Sequence, residues 1–331
     1  MKILILGGTG YLGSNIVQRL LEDDHELFCI LRPSSDKSKL LELTHSSNLK
    51  YLSNDLFQIK CLLEQEHIDW LINTSCSYKI NETLYGDLLD SNISFPLKVI
   101  NIAAKCGVKN YLSTGTSLPV MCNDYSFFKS KYDEICEYIA KSNNLNYINL
   151  SLEMFYGGIN EPKSRFLKMC LTKLIDNLPI ELTSGNQKRD IVRVEDVVNC
   201  ISFLITNHNF NGYTKLPFGT GEQLSVKAIV ENMKTILGSK SVLKFGVIKS
   251  RNIEPNTVAD ISWFKEYGLS PCYSILDGLS NYCKNELKKL AVGGVINILN
   301  FLQIIFKYIY YICNFNLNIN SYVAPRSLYN V

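Results

Sequence analysis

A tyrosine and a lysine stand at a spacing that suits proton transfer, in the run Tyr125-Ser126-Phe127-Phe128-Lys129. On a helix this spacing places both side chains on one face, one turn apart. A neighbouring ammonium group favours the phenolate and lowers the phenol pKa, which makes the tyrosine usable as a general acid or base. The pattern alone is weak in a chain with 19 tyrosines, because chance matches occur on solvated helix faces. Whether this pair is functional therefore depends on its position in the fold.

Hydroxyl side chains precede this pair at the end of a predicted strand. Asn110–Ser113 has the pattern of a strand, and Thr114-Gly115-Thr116-Ser117 follows it along the chain. Parallel strands present their carboxyl ends along one rim of a sheet, where ligands bind. These hydroxyls are therefore expected where a substrate oxygen is held.

A glycine-rich turn opens the chain and predicts a nucleotide site. Lys2–Leu6 is a short apolar run, Gly7-Gly8-Thr9-Gly10-Tyr11-Leu12-Gly13 follows it, and a helical pattern begins there. Strand, glycine turn and helix in this order form the entry unit of a dinucleotide-binding fold, with the helix N-terminus facing the phosphates. An oxidised nicotinamide held there would join Lys129 in lowering the Tyr125 pKa.

Strand and helix patterns alternate through the first half of the chain. This rhythm predicts an α/β fold, a doubly wound Rossmann sheet of parallel strands with helices on both faces. The predicted strands are Lys2–Leu6, Glu26–Leu31, Leu49–Leu52, Asp69–Thr74, Asn110–Ser113 and Asn146–Leu152, and the predicted helices are Gly13–Glu22, Phe57–Glu66, Asn92–Cys106 and Phe127–Asn143.

The rhythm breaks near Gly157, which suggests a smaller lobe that closes over the rim of the sheet. Its predicted helices are Arg165–Asp176, Val194–Thr206 and Ser225–Leu237, and its short strands lie near Ile180–Leu182, Tyr213–Phe218 and Leu243–Val247. We therefore divide the chain into a dinucleotide-binding domain at 1–156, a partly interleaved substrate lobe at 157–289 and an extension at 290–331.

The extension contains an apolar segment, Leu290–Cys313, with a narrow polar stripe at Asn297, Asn300, Gln303 and Lys307. Its length suits a bilayer crossing, and its stripe suits a helix lying at an interface. Membrane or partner association, a docked C-terminal helix and an incidental tail are the three interpretations.

Composition excludes several classes of function. The net charge is +3, from 34 basic and 31 acidic residues, which is too balanced for a nucleic-acid-binding protein. The 11 cysteines contain no C-x-x-C pair, so we expect reduced, buried thiols, no metal site and a cytoplasmic protein. The apolar N-terminal run is too short for a signal peptide.

Taken together, the motifs resemble those of extended short-chain dehydrogenase/reductases of the nucleotide-sugar epimerase/dehydratase type. The resemblance spans roughly residues 1–285 and rests on Gly7-x-x-Gly10-x-x-Gly13, Asp55-Leu56, Asn92, a hydroxyl at the fifth strand and Tyr125-x-x-x-Lys129. The chain departs from the pattern of this family at two places. The interval between Thr116 and Tyr125 is short, and Asn73-Thr74-Ser75-Cys76 stands in place of small apolar residues. Members of this type commonly form homodimers through two long helices, here near Asn92–Cys106 and Phe127–Asn143.

The resemblance implies a role for each matching residue. Tyr125 becomes the acid/base, Lys129 holds the nicotinamide ribose, and Thr116 hydrogen-bonds the reacting sugar oxygen, with Ser117 as the competing candidate. Asp55 and Leu56 meet the adenine, and Thr74 and Ser75 line the cofactor. The implied cofactor-binding residues are Gly7, Gly10, Tyr11, Leu12, Gly13, Arg32, Asp55, Leu56, Thr74, Ser75, Tyr125 and Lys129.

The second half resembles the CDP-paratose and CDP-abequose synthases, which reduce a 4-keto dideoxysugar. The similar segments are Leu152–Gly157, Lys163–Phe166, Thr183–Asp190, Val194–Val198 and Phe245–Glu254, together with Gly115-Thr116-Ser117-Leu118-Pro119. The implied substrate-binding residues are Thr116, Ser117, Phe166, Arg189 and Arg251. The two arginines suit a pyrophosphate, which a guanidinium grips bidentately, and surface ion pairs are the alternative for each.

The end of the second strand indicates which cofactor is used. An NAD site usually offers an acid there to the ribose 2′-hydroxyl. Here the strand runs into Leu31-Arg32-Pro33-Ser34-Ser35, with no acid before Asp36. A cation and hydroxyls suit a 2′-phosphate, so we expect NADPH, with NAD as the alternative.

The expected activity is therefore reduction of a nucleotide-linked 4-keto-(di)deoxyhexose at C4, within deoxysugar synthesis for a bacterial surface polysaccharide such as the O-antigen of lipopolysaccharide. An NAD-dependent 4-epimerase, which uses the same three residues, is the main alternative. A non-catalytic nucleotide-binding scaffold is a third interpretation.

Overall fold

The computed structural model describes residues 1–43, 46–78, 84–207, 210–250 and 253–290. Residues Met1–Ser280 form one compact unit, and a second begins at Asn281. Of the second unit, residues 281–290 are described and are helical. The predicted apolar segment from residue 291 onward and the predicted ligand Arg251 lie outside the described residues.

A seven-stranded parallel sheet organises the first unit, which confirms the predicted α/β Rossmann class. The strands of the sheet are β1 (Lys2–Leu6), β2 (Glu26–Leu31), β3 (Leu49–Ser53), β4 (Trp70–Asn73), β5 (Asn110–Thr116), β6 (Asn146–Leu152) and β11 (Tyr213–Phe218). Their order is β11-β6-β5-β4-β1-β2-β3, so the chain reverses direction across the sheet at β1 and β4. Ligands bind at such a reversal, outside the carboxyl ends of the strands.

Helices cover both faces of this sheet, and two apolar cores lie between the layers. The helices are α1 (Tyr11–Glu22), α2 (Leu56–Gln65), α3 (Tyr85–Leu89), α4 (Phe95–Lys105), α5 (Asp124–Asn143), α6 (Phe166–Ile175), α7 (Val194–Thr206), α8 (Val226–Leu237) and α9 (Ser262–Glu266). A 3₁₀ turn at Lys37–Leu43 follows β2, and a π-helical turn at Asp90–Ser94 joins α3 to α4.

Short strand pairs build the rest of the unit. They are β7 (Met154–Tyr156) with β10 (Ile191–Arg193), β9 (Lys188–Arg189) with β12 (Leu224–Ser225), and β8 (Ile180–Glu181) with β13 (Leu243–Lys244). Within the described ranges, no helix combines the length and apolar composition that a bilayer crossing requires.

Several predicted elements differ from the structure, among them the following three. Tyr213–Phe218 was expected in the smaller lobe, but it is the edge strand β11 of the main sheet, paired with β6 from Tyr213↔Tyr147 to Phe218↔Leu152. β5 runs past Ser113 to Thr116, because Thr114 and Gly115 keep their register with β6. The single helix expected at Asn92–Cys106 begins earlier and contains the π-helical turn. In that turn, the Asn92 side chain accepts a hydrogen bond from the N–H of Ser77 and donates one to the carbonyl of Ser77.

Candidate active site

A cavity of about 790 Å³, here called the rim cavity, lies at the carboxyl ends of β1, β2, β4 and β5. Three turns of the chain form it: the glycine turn after β1, the segment after β2 and the segment after β4. The predicted cofactor residues that line it are Gly7, Gly10, Tyr11, Leu12, Gly13, Arg32, Thr74, Ser75, Tyr125 and Lys129.

The glycine turn shapes one wall of the rim cavity. Gly7 has a φ of +83°, which only glycine adopts without strain, and its carbonyl accepts a hydrogen bond of 2.8 Å from the N–H of Gly10. Helix α1 then begins at Tyr11 with no side-chain cap and no acidic residue in its first turn. Its first N–H groups and the positive end of its dipole therefore suit an anionic group.

The segment after β2 offers positive charge and hydroxyls to the same cavity. Arg32, Ser34, Ser35 and Lys39 all line it, and Arg32 is exposed. Asp36 lines it too, but its carboxylate accepts from the N–H (3.0 Å) and the hydroxyl (2.5 Å) of Ser38, which lowers the pKa of Asp36. The Asp36 carboxylate is thus engaged locally, while Arg32 lies just after β2 in the same wall of the cavity.

Asp55 and Leu56 are not among the residues that line the rim cavity, although Asn54 is. Asp55 caps helix α2, where its carboxylate accepts from the N–H of Phe57 at 3.0 Å. Leu56 packs against the apolar core between the sheet and the helices. Their predicted contact with the adenine stays a prediction, and Asn54 is the neighbour that the sequence reading missed.

Helix α5 positions Tyr125 and Lys129. A capping box fixes its start: Asn123 accepts from the N–H of Ser126 at 2.9 Å, and Ser126 accepts from the N–H of Asn123 at 3.1 Å. Tyr125 therefore falls in the first turn and Lys129 one turn later, as the spacing predicts. The Lys129 ammonium is buried and donates to the carbonyls of Thr114 (2.9 Å) and Ser75 (3.2 Å), so it ties α5 to the ends of β5 and β4.

The Tyr125 phenol meets hydroxyl and aromatic neighbours. Burial raises its pKa well above the ordinary value, while a hydrogen bond with Thr116 and the charge of Arg165 oppose the rise. Burial lowers the pKa of Lys129. The chain's own residues therefore do not produce the expected lowering of the Tyr125 pKa, because the desolvation of the phenol outweighs the charge of Arg165. Tyr125 is held as a protonated phenol.

Two residues that the sequence reading did not single out complete this centre. The ring of Tyr78 stacks on that of Tyr125 with centroids 4.9 Å apart, and its hydroxyl hydrogen-bonds both Tyr125 and Arg165. The Arg165 guanidinium lies 5.0 Å from the Tyr11 ring centroid and 4.5 Å from that of Phe155. Tyr78 lies in a loop and Arg165 at the start of α6, where no periodic sequence pattern singles out a residue. The order of the sequence segments was the only indication that Arg165 lies near the predicted substrate site.

A second cavity, here called the lobe cavity, has a volume of about 430 Å³ and shares Tyr78, Tyr125 and Arg165 with the first. The predicted substrate residues Thr116, Ser117, Phe166 and Arg189 all line it. The Arg189 guanidinium donates to the carbonyl of Lys188 at 3.1 Å. Tyr125 therefore stands where the two cavities meet, with the glycine turn on one side and the substrate residues on the other.

Within the described part of the chain, no cluster of His, Cys, Asp and Glu is arranged to hold a metal ion.

The chain is similar to known proteins over most of its length. The family model for the NAD dependent epimerase/dehydratase family matches residues 3–214. A CDP-abequose synthase of Salmonella typhimurium is 25% identical over 300 residues, which cover 85% of this chain and 97% of that protein. A putative UDP-glucose 4-epimerase of Methanocaldococcus jannaschii is 23% identical and covers 86% of this chain and 99% of its own.

A solved structure shares the fold. The UDP-glucose 4-epimerase of Thermotoga maritima, solved with UDP-glucose, superposes with a TM-score of 0.75 at 19% identity. The match covers 88% of this chain and 100% of that one.

Proposed function

The chain belongs to the NAD dependent epimerase/dehydratase family, and we propose on that basis that it is an NADPH-dependent reductase of a nucleotide-linked 4-keto-(di)deoxyhexose. Its product would serve deoxysugar synthesis for a bacterial surface polysaccharide. One observation carries the proposal: Tyr125, hydrogen-bonded to Thr116, stands where the rim cavity and the lobe cavity meet.

A nicotinamide dinucleotide fits the groups that line the rim cavity. The first N–H groups of α1 would hold its pyrophosphate, and α1 lies close to the turn after β1 because Gly13 carries no side chain. Arg32, Ser34, Ser35 and Lys39 suit the extra phosphate of NADPH. When bound, the reduced nicotinamide supplies a hydride, which is the chemistry the site needs from it.

The protein's own part is to hold the reacting oxygen and to deliver a proton. Burial keeps the Tyr125 phenol protonated, and a protonated phenol suits a group that gives its proton to O4 of the sugar. The Thr116 hydroxyl would donate a second hydrogen bond to O4 and polarise the carbonyl. Lys129, which is anchored on Ser75 and Thr114, would position the ribose beside them.

The lobe cavity would hold the nucleotide and the sugar. Arg189 lines it and presents a guanidinium for the pyrophosphate, and Phe166 offers an apolar surface at the start of α6. Binding energy from the nucleotide would hold C4 in place for reaction. The similarity to the CDP-abequose synthase of Salmonella typhimurium favours a CDP-linked sugar.

A 4-epimerase is the second candidate, favoured by the similarity to the putative UDP-glucose 4-epimerase of Methanocaldococcus jannaschii. The two activities differ in their redox balance. A reductase consumes NADPH in proportion to product, whereas an epimerase retains its cofactor and shows no net consumption. Two incubations test this: loss of NADPH equal to the product formed from CDP-4-keto-6-deoxyglucose supports the reductase, and conversion of UDP-glucose to its C4 epimer without added NADPH supports the epimerase.

A further inference from the structure

A second tyrosine, Tyr78, forms a hydrogen-bonded group with Tyr125 and Arg165 where the two cavities meet. Its ring stacks on that of Tyr125 with centroids 4.9 Å apart and an angle of 25° between the ring planes. Its hydroxyl hydrogen-bonds both the Tyr125 hydroxyl and the Arg165 guanidinium. Tyr78 is 52% exposed, so its place is fixed by these contacts and not by packing in the core.

Arg165 brings a positive charge to this group and is itself held by other contacts. Its guanidinium donates to the carbonyl of Phe155 at 2.9 Å and lies over the rings of Phe155 and Tyr11. Those two rings stack with centroids 5.4 Å apart, and the Tyr11 hydroxyl donates to the carbonyl of Gly157 at 2.7 Å. A carbonyl and two aromatic faces, which attract cations, therefore fix the charge beside Tyr78.

Proton transfer from Tyr125 would leave a negative charge at this point of the site. In the proposed function, the O–H bond of Tyr125 breaks as its proton passes to O4 and C4 gains a hydride, and the bonding pair stays on the phenol oxygen. Burial disfavours that anion, and it raises the pKa of Tyr125 well above its ordinary value. Groups that stabilise the phenolate would therefore lower the barrier to the transfer.

The polar groups that face the Tyr125 phenol come from four segments of the chain, and they are the hydroxyls of Thr116 and Tyr78, the thiol of Cys76 and the guanidinium of Arg165. The hydrogen bond with Thr116 and the charge of Arg165 lower the pKa of Tyr125, whereas Tyr78 and Cys76 would raise it as anions. Desolvation raises the pKa of both Tyr78 and Cys76, so both are neutral near pH 7. The Lys129 ammonium, one turn further along α5, donates to two main-chain carbonyls.

We propose that Tyr78 is a positioning residue which, together with Arg165, stabilises the phenolate that Tyr125 becomes when its proton passes to O4. The proposal rests on the proposed function, in which Tyr125 is the acid. A guanidinium only donates hydrogen bonds, so Arg165 makes the Tyr78 oxygen an acceptor and leaves the Tyr78 proton for the Tyr125 oxygen. A hydrogen bond to a charged group is stronger than one to a neutral group, so this contact strengthens as the negative charge forms.

The test measures the ionisation of Tyr125 without turnover. Protein labelled with ¹³C at Cζ of tyrosine is titrated by NMR with NADP⁺ present, and the Tyr125 signal is identified by its absence in Tyr125→Phe. Tyr78→Phe keeps the stacked ring and should raise the ionisation midpoint of Tyr125 by about one to two pH units, because the anion loses one hydrogen bond. Arg165→Met should raise the midpoint by about one to three units, and Arg165→Lys, which keeps the charge, by less. Tyr138→Phe, at an exposed tyrosine on α5, should leave the midpoint unchanged.

Two results would overturn the proposal. One is the same midpoint in Tyr78→Phe as in the wild type. The other is a wild-type phenol that stays neutral up to about pH 11, because the site then does not stabilise the anion. The titration involves no sugar, so a failure to reduce any 4-keto sugar would refute the proposed reaction and leave this result to stand on its own.

The pH dependence of the reduction gives a second readout, which a purely structural role of Tyr78 would not move. The acid has to be protonated, so kcat falls as the pH rises through the pKa of Tyr125. Tyr78→Phe should lower kcat by about 3- to 10-fold near neutral pH and shift this alkaline fall to higher pH. The KM for the sugar nucleotide should stay within about threefold of the wild type. A lower kcat with the alkaline fall at its wild-type pH would mean that Tyr78 acts through packing alone, and would contradict the proposal.

Discussion

The carbonyl oxygen of Gly7 lies so close to Gly13 that any Cβ at position 13 would overlap it. Both partners of this contact are backbone, so no change of rotamer relieves it. The contact brings the first turn of α1 against the turn that leaves β1, where Gly10 donates to the same carbonyl. The predicted phosphate site thus depends on the absence of a side chain at Gly13.

Gly13→Ala should therefore weaken both the fold and the cofactor site. Overpacking of this kind costs about 1–3 kcal/mol, and displacement of α1 should reduce NADPH affinity by at least about tenfold. Chemical denaturation and a fluorescence titration with NADPH measure the two effects. Gly86→Ala is the matched control, because a Cβ at Gly86 has nothing within 4 Å. Equal NADPH affinity in Gly13→Ala and the wild type would refute the role assigned to the turn.

Arg32→Ala tests the choice of cofactor. A charge-assisted hydrogen bond to the 2′-phosphate is worth about 1.5–3 kcal/mol, so NADPH affinity should fall about 10- to 100-fold. NADH affinity should stay within about threefold, because NADH has no phosphate for the guanidinium to bind. Lys60→Ala, which removes an exposed cation from α2 elsewhere on the surface, controls for net charge. Equal losses for the two cofactors would mean that Arg32 does not select between them.

Tyr125→Phe removes the proposed proton donor and keeps the ring that stacks on Tyr78. Loss of a general acid typically lowers turnover by about 10²- to 10⁴-fold, while the dissociation constant for NADPH should change little. Steady-state kinetics and a cofactor titration separate the two. Tyr138→Phe, at an exposed tyrosine on the same helix, should leave both unchanged. A fully active Tyr125→Phe would remove Tyr125 as the acid.

The buried Glu153 should leave a signature in stability against pH. Its pKa is raised from 4.5 to about 7 on folding, so the folded state binds more protons than the unfolded state between these values. The free energy of unfolding should then fall with rising pH across that interval, by up to about 3 kcal/mol through this group. Denaturation at a series of pH values should show a steeper fall in the wild type than in Glu153→Gln, which keeps the contributions of other buried acids such as Asp190. Parallel pH dependences would contradict the raised pKa.

Local chemistry explains why part of the site could be predicted from the sequence. The glycine turn follows from backbone positions that admit no side chain, and Tyr125 and Lys129 follow from helical spacing. Thr116 could be placed because β5 carries it to the rim. Each of these inferences needs only a few consecutive residues.

The rest depends on contacts between distant parts of the chain. Tyr213–Phe218 has a strand pattern whether it lies in the lobe or at the sheet edge, and its pairing with β6 is decided by packing. Asp55 caps helix α2, which a sequence pattern alone does not reveal, and its contact with the adenine stays a prediction. The setting of Glu153 is created by Asp190, Gly219 and Ser117, which no local pattern joins.

Transfer of a labelled hydride tests the central claim most directly. The protein would be incubated with NADPH deuterated at the transferred position and with CDP-, dTDP- and UDP-linked 4-keto sugars, and the products would be examined by NMR. The reductase account predicts a product that carries deuterium at C4, formed in proportion to the NADPH consumed. A product without deuterium at C4, formed while NADPH is unchanged, would contradict it.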